Sequence, residues 1–311
     1  MDTVVAHGER RGMLLVMTAS TLWGTVGVTS RLISQLAYIN WLSLALLRML
    51  IAAPVLLIVG QRLLGKQMWS ISRRDLSIMM LIGALLAISQ SLYFAAIPRT
   101  GVAVATLVAI CVAPVVVTAL TTILTRQRPG NFALFSVALA LAGTILLVMG
   151  SQVSNGQSIS LLGVGMALGA ACCYAGVILL GRFLADRHHP LQVTAVAFST
   201  GSVLLAVVGA FVGFVGTYPV TGWVLLLYIG LIPTALGYAL LMAGMRTTPA
   251  PIASVMSLLE PLTATFLAWI LFNEQLGIVG IGGAAMLLIA IYLLSMKEQE
   301  NEDAAGIVSE G

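Results

Sequence analysis

The residues best able to do chemistry in this chain sit inside long apolar runs. Glu260 stands beside Pro261 in LLEPLTATFLAWILFNE, residues 258–274. An ionised carboxylate at the centre of a bilayer costs roughly 3 kcal/mol or more unless it is paired, hydrated or protonated. Arg48, inside the second apolar run, is one candidate partner. Water in a central cavity is another, with the proton leaving and returning as the cavity changes sides. A structural ion pair, or a protonated acid bonded to a carbonyl, is an equally available reading. Pro261 lacks a backbone N–H and clashes with the carbonyl of Ser257, and Pro114 does the same to Ile110, so kinks are expected at both. Such kinks can bare carbonyls for an ammonium group or act as flexing points, or they can only shape packing.

Trp23 and Thr25, then Ser89, Gln90 and Tyr93, then Tyr174 and Tyr238 are the polar and aromatic residues that could line a pocket. Gln90 and Tyr93 are three apart and share a helical face. Trp23 and Tyr174 could hold an apolar substrate side chain from opposite sides. Each of these residues, taken alone, could equally bond to a neighbouring helix. Trp41, Trp69 and Trp223 fall near the ends of apolar runs and read as interfacial belt residues.

Enzyme chemistry finds no support. H-E-x-x-H, G-x-S-x-G and G-x-x-x-x-G-K-[ST] are all absent, which argues against a metalloprotease, a serine hydrolase and ATP hydrolysis by this chain. His188 and His189, adjacent before Pro190, make a poor metal site and read as a solvated loop. Cys111, Cys172 and Cys173 lie in apolar runs and form neither a disulfide framework nor a ligand set. No catalytic residue, cofactor or metal is expected.

The elements that must position these residues follow from composition. The chain has 311 residues, 59% of them hydrophobic and 8% charged, with a mean hydropathy of +1.05. That is an integral membrane protein. A hydrocarbon core about 30 Å thick needs about 20 apolar residues per helix, whereas barrel strands would alternate over segments of about 10, and none do. The expected class is all-α, with ten spans near 13–33, 40–60, 76–97, 101–123, 131–150, 161–183, 191–215, 222–245, 250–272 and 276–296. The first run follows Arg10 and Arg11 but is long and lacks an A-x-A site, so it reads as a retained helix and not a signal peptide. Basic residues are scattered singly, which excludes a nucleic-acid stripe. Of the fifteen Lys and Arg, Arg31 and Arg99 fall on the outer face, Arg48 falls within a span, and the other twelve are cytoplasmic when both termini are inside.

The two halves also match each other. A shift of 151 places Trp23 on Tyr174 and Arg31 on Arg182, and a shift of 147 places Gly83 on Gly230, Arg99 on Arg246, Pro114 on Pro261 and Thr118 on Thr265. Each half holds five helices, an odd number, so the second half enters the membrane upside down as an inverted repeat. The expected organisation is a cytoplasmic N-terminus at 1–12, repeats at 13–150 and 161–296, and an acidic cytoplasmic tail at 297–311. Glu260 aligns with Ala113, so the repeats differ at the polar site.

STLWGTVGVTSR in the first helix, ALLRMLIAAP in the second and LLEPLTATFLAWILFNEQL in the ninth resemble the drug/metabolite transporter superfamily and its EamA family, over about residues 13–296. Within it the chain is similar to amino-acid exporters of the YddG type. Gln127 in TRQRPG replaces a carboxylate that the family often carries. The resemblance implies a secondary transporter of the bacterial inner membrane that moves small metabolites, above all amino acids, outward by alternating access. Its expected partners are a small-molecule substrate, membrane lipid and, as the candidate coupling ion, protons. An exporter of drugs or organic cations, and a passive channel or lipid scramblase, are the alternatives.

Overall fold

The computed structural model describes residues 2–38, 40–100, 102–126, 130–150, 160–214, 216–272 and 277–293. Glu274, Gln127 and the tail from 297 lie outside the described residues. Helices α1 (Asp2–Leu36), α2 (Trp41–Leu64), α3 (Arg73–Thr100), α4 (Val102–Thr125), α5 (Asn131–Gly150), α6 (Leu161–Ala185) and α7 (Pro190–Val212) come first. Then follow α8 (Val220–Gly244), α9 (Ala250–Phe272) and α10 (Ile278–Leu293). Eight of these are long and apolar enough to cross a membrane; α5 and α10 qualify only as shorter apolar stretches, Leu134–Leu147 and Ile278–Leu293.

The burial pattern suits a lipid solvent. Large apolar side chains point outward, with Phe211 87% and Ile278 89% exposed, because lipid tails do not penalise them. Small residues let helices approach inside the bundle. At Gly143 an added Cβ would lie 2.7 Å from Leu287 N and 2.8 Å from Gly283 O, so α5 and α10 meet backbone to backbone. Several buried hydroxyls are satisfied within their own helix: Ser20 Oγ donates to Val16 O at 2.8 Å and Thr144 Oγ1 to Ala140 O at 2.9 Å. In hydrocarbon no water would do it for them.

Helix α1 packs on α8 and α9, while α6 packs on α3 and α4. Helices α2 and α7 pack on each other, α2 also meets α8 as α3 meets α7, and α4 meets α9.

Of the two expected proline kinks, one is a full break. In α9 the helix stops at Met256 and restarts at Leu259. The Ser257 carbonyl, which Pro261 cannot serve, instead accepts from Glu260 N at 3.1 Å. That carbonyl is therefore occupied and is not bared for a ligand as the sequence suggested. Pro114 lies inside an uninterrupted α4. A second irregularity was not anticipated: Gly230–Leu236 of α8, containing Pro233, takes a π-helical turn.

The α2–α3 and α6–α7 connections hold each other at one end of the bundle. His189 caps α7, its Nδ1 accepting from Leu191 N at 3.3 Å while its own N–H donates to Gln192 Oε1 at 2.9 Å. Partial burial and the Arg246 charge lower the His189 pKa from its ordinary value, which keeps Nδ1 unprotonated and able to accept. Gln192 Nε2 donates to Gln67 O at 2.7 Å. His188 Nε2 meets Asp75 Oδ2 at 2.9 Å, the two side chains being only 9% and 13% exposed. His188 is thus a packed partner of α3 and not the solvated loop residue expected, because a carboxylate distant in sequence reaches it. Asp75→Asn and His188→Ala should each lower the thermal midpoint in detergent by a few degrees. The double variant should cost less than the sum, with a coupling of about 1 kcal/mol. Additive losses would show that the pair contributes nothing jointly.

Candidate functional site

Beyond that packed end, a cavity of about 420 Å³ opens between the helices. Its lining comes from α1, α2, α3, α4, α6, α8 and α9, and runs from mid-helix toward the α1–α2 and α3–α4 connections, where Ser30, Trp41, Ile97 and Thr106 border it. The opposite end is closed by residues with no space around them, including Met68, Met79, Leu184, Val193 and Met245, all at 0–1% exposure.

Trp23, Arg48, Ser89, Gln90, Tyr93, Tyr174, Tyr238 and Glu260 all line this one cavity, and Pro261 lines it with them. Pro114 and Thr25 do not; Thr25 instead accepts from the Tyr228 hydroxyl at 3.1 Å.

The floor is aromatic. Trp23 Nε1 donates to Pro233 O at 2.9 Å, a carbonyl left available because Gly237 N–H turns to Ile232 O and Thr234 O in the π-helical turn. Gly237 makes room for this, since a Cβ there would sit 2.9 Å from the indole nitrogen. Tyr238 packs on Trp23 with centroids 4.8 Å apart, and Phe198 packs edge-on behind Tyr238 at 4.9 Å. Trp23 and Tyr174 meet each other edge-on at 6.4 Å, which leaves no gap for a third ring. They form one wall in this conformation and not the two-sided clamp expected from sequence.

A second aromatic wall was missed. Trp41 stacks on Phe94 at 6.2 Å with 15° between the planes, and Phe94 meets Tyr93 at 5.1 Å. Trp41 is therefore a cavity residue and not a belt residue; its place at a helix start gave the wrong signal. Trp69, 65% exposed, keeps the surface position expected of a belt residue. Ser89 Oγ donates to Ala170 O at 2.9 Å, and Tyr93 shares a 2.7 Å hydrogen bond with Thr106.

The two charges in the lining, Arg48 and Glu260, form no ion pair among the described residues. Arg48 Nε is buried with no hydrogen-bond partner, and so is Ser30 Oγ. No group of three or more His, Cys, Asp or Glu that could hold a metal occurs among the described residues.

The model of the EamA-like transporter family matches residues 10–149 and again residues 161–296. The chain belongs to the EamA-like transporter family. It lies with that family in the drug/metabolite transporter superfamily, which is a group of transporters and not of enzymes. This transporter is 31% identical to the uncharacterized transporter YwfM of Bacillus subtilis (strain 168) over 296 residues, covering 94% of this chain and 97% of that one. It is 28% identical to the uncharacterized inner membrane transporter YicL of Salmonella typhimurium, covering 95% and 99%. Over 155 residues it is 30% identical to the threonine/homoserine exporter RhtA of Salmonella typhimurium, covering 48% and 49%. A solved crystal structure superimposes with a TM-score of 0.75 at 18% identity, covering 92% of this chain and 97% of that one, a likeness of fold alone.

Proposed function

We propose that this EamA-like protein is a secondary transporter that exports small metabolites, most simply amino acids, across the bacterial inner membrane by alternating access. The observation that carries the reading is the cavity itself. It lies at mid-helix depth, is closed toward the α2–α3 and α6–α7 connections, and is lined by both charge signs and two aromatic walls. The broken α9 and the π-turn of α8 border it, which suits a site built on discontinuous helices.

Two features support an inverted repeat, and the basic residues support placing both termini in the cytoplasm. The family model matches twice. The helix pairing is also preserved when the halves are exchanged: α1 on α8 and α9 becomes α6 on α3 and α4, and α2 on α7 maps onto itself. Substrate class is supported by RhtA, an exporter of threonine and homoserine, and by the resemblance to YddG-type exporters. Glu260 is assigned to proton coupling. It shares the cavity with Arg48 of α2, Tyr93 of α3, Tyr174 of α6 and Tyr238 of α8.

Counterflow in proteoliposomes tests the reading. Labelled amino acid should exchange for unlabelled at a saturable rate, where a channel or scramblase would show no saturable exchange. Trp23→Ala should raise the apparent KM for bulky apolar substrates about fivefold, by removing an aromatic contact worth about 1 kcal/mol. Its effect on small substrates should be less. An equal effect on all substrates would mark packing damage instead.

A further inference from the structure

Arg48 sets a physical problem that Glu260, which makes no direct ion pair with it, solves only in part. A guanidinium stays charged in a protein interior, and an unpaired charge at membrane depth is costly. Its Nε is nonetheless buried without a hydrogen-bond partner, and no carboxylate of the chain pairs with it among the described residues. Ser30, 2% exposed, has a buried hydroxyl that is equally unpartnered. Buried donors left unsatisfied are uncommon in folded proteins and call for an explanation. The two residues that carry these donors, one on α1 and one on α2, line the same cavity.

We propose that Arg48 and Ser30 form a carboxylate-binding subsite for an α-amino acid whose apolar or aromatic side chain lies against the cavity's aromatic walls. This rests on the carrier reading above and adds the group that selects the substrate. The guanidinium fork matches a carboxylate with two parallel hydrogen bonds, and a serine hydroxyl supplies a further donor. The carboxylate end of a zwitterion would thereby neutralise Arg48, while its ammonium end faces Glu260, the opposite charge in the same lining. A free amine would leave Arg48 without a hydrogen-bonded counter-charge and would meet a cation in the site. A free carboxylic acid would leave Glu260 without its counterpart. The cavity of about 420 Å³ falls within the roughly 300–1,000 Å³ usual for small-molecule sites. Trp41, Phe94 and Tyr93 in one ring cluster, and Trp23, Tyr174 and Tyr238 in another, line the cavity beside the side chain.

The test is counterflow in proteoliposomes with L-phenylalanine, phenethylamine, which lacks the carboxylate, and 3-phenylpropionate, which lacks the ammonium. Wild type should exchange L-phenylalanine at a half-saturating concentration about tenfold or more below that of either analogue, the loss expected for one charge-assisted pair. Arg48→Gln should erase that preference over phenethylamine, and Arg48→Lys, without the fork, should restore it only in part. Ser30→Ala removes a hydroxyl that bonds to nothing, so it should keep the thermal midpoint and weaken L-phenylalanine severalfold while leaving phenethylamine unchanged. If Arg48→Gln is not recovered folded, Ser30→Ala and the wild-type preference carry the test. Saturable exchange of phenethylamine equal to that of L-phenylalanine, or an unchanged preference in the folded variants, would overturn the subsite and leave the carrier intact. No saturable exchange with any amino acid or organic cation would instead overturn the carrier reading and the subsite with it.

Discussion

Glu260→Gln is expected to abolish accumulation of substrate driven by a pH gradient, while exchange of labelled for unlabelled substrate at equal pH on both sides continues at a higher half-saturating concentration, because the substrate ammonium loses its counter-charge. The amide keeps the size and the hydrogen-bonding capacity of the side chain but carries no proton to release. Glu260 follows the break at Ser257 and lies in the cavity lining, where water can reach it. A carboxylate there can exchange a proton with whichever side the cavity faces, so a moving cavity turns one titratable group into a coupling device. Measuring accumulation with and without an imposed pH step separates the two activities. Normal accumulation by the variant would end the coupling role. Loss of both activities, with the thermal midpoint retained, would show that transport needs the ammonium contact of Glu260 and not its proton release.

Gly24→Ala is expected to have the second large effect, on folding and transport together. Helix α1 crosses α9 at Gly24, and an added Cβ would lie 2.5 Å from Thr263 Cβ and 2.7 Å from Glu260 O, well inside the 3.4 Å of ordinary contact. One of those atoms is backbone, so no rotamer change relieves the overlap. The helices must separate, which costs typically 1–3 kcal/mol for an overpacked site. The separation falls at the residue that carries the acid. The variant should therefore lose thermal stability and transport, whereas Gly27→Ala, with nothing within 4 Å of an added Cβ, should keep its thermal stability. Equal behaviour of the two variants would contradict the close crossing.

Much of the fold was legible because the solvent is lipid. Apolar run length marks helices directly when every backbone group must bond within its own segment, and eight of the ten expected runs form helices long enough to cross. The lining was legible for a related reason. Polar residues are rare in such runs, so Glu260, Arg48, Gln90 and Tyr238 stood out, and all four border one cavity.

What sequence could not supply was direction and partnership. A serine in a membrane helix ordinarily bonds to its own backbone, as Ser20 does, and nothing in the order of residues distinguishes Ser30, whose hydroxyl is unpartnered. The pairing of His188 with Asp75 spans 113 residues of sequence. The π-turn of α8 follows from Pro233 only once Trp23 is seen to take its carbonyl. Trp41 lies where a belt residue would lie, and only the position of Phe94 turns it into a cavity wall.

The central claim is that one cavity serves both sides of the membrane in turn. Ala264 lines that cavity on α9. Ala264→Cys, in a chain with Cys111, Cys172 and Cys173 replaced by serine or alanine, can be labelled with a membrane-impermeant thiol reagent in right-side-out spheroplasts and in inside-out vesicles. Labelling from both sides is expected, with added substrate changing the two rates in opposite directions. Labelling from one side only, in protein that still carries out counterflow, would contradict alternating access through this cavity.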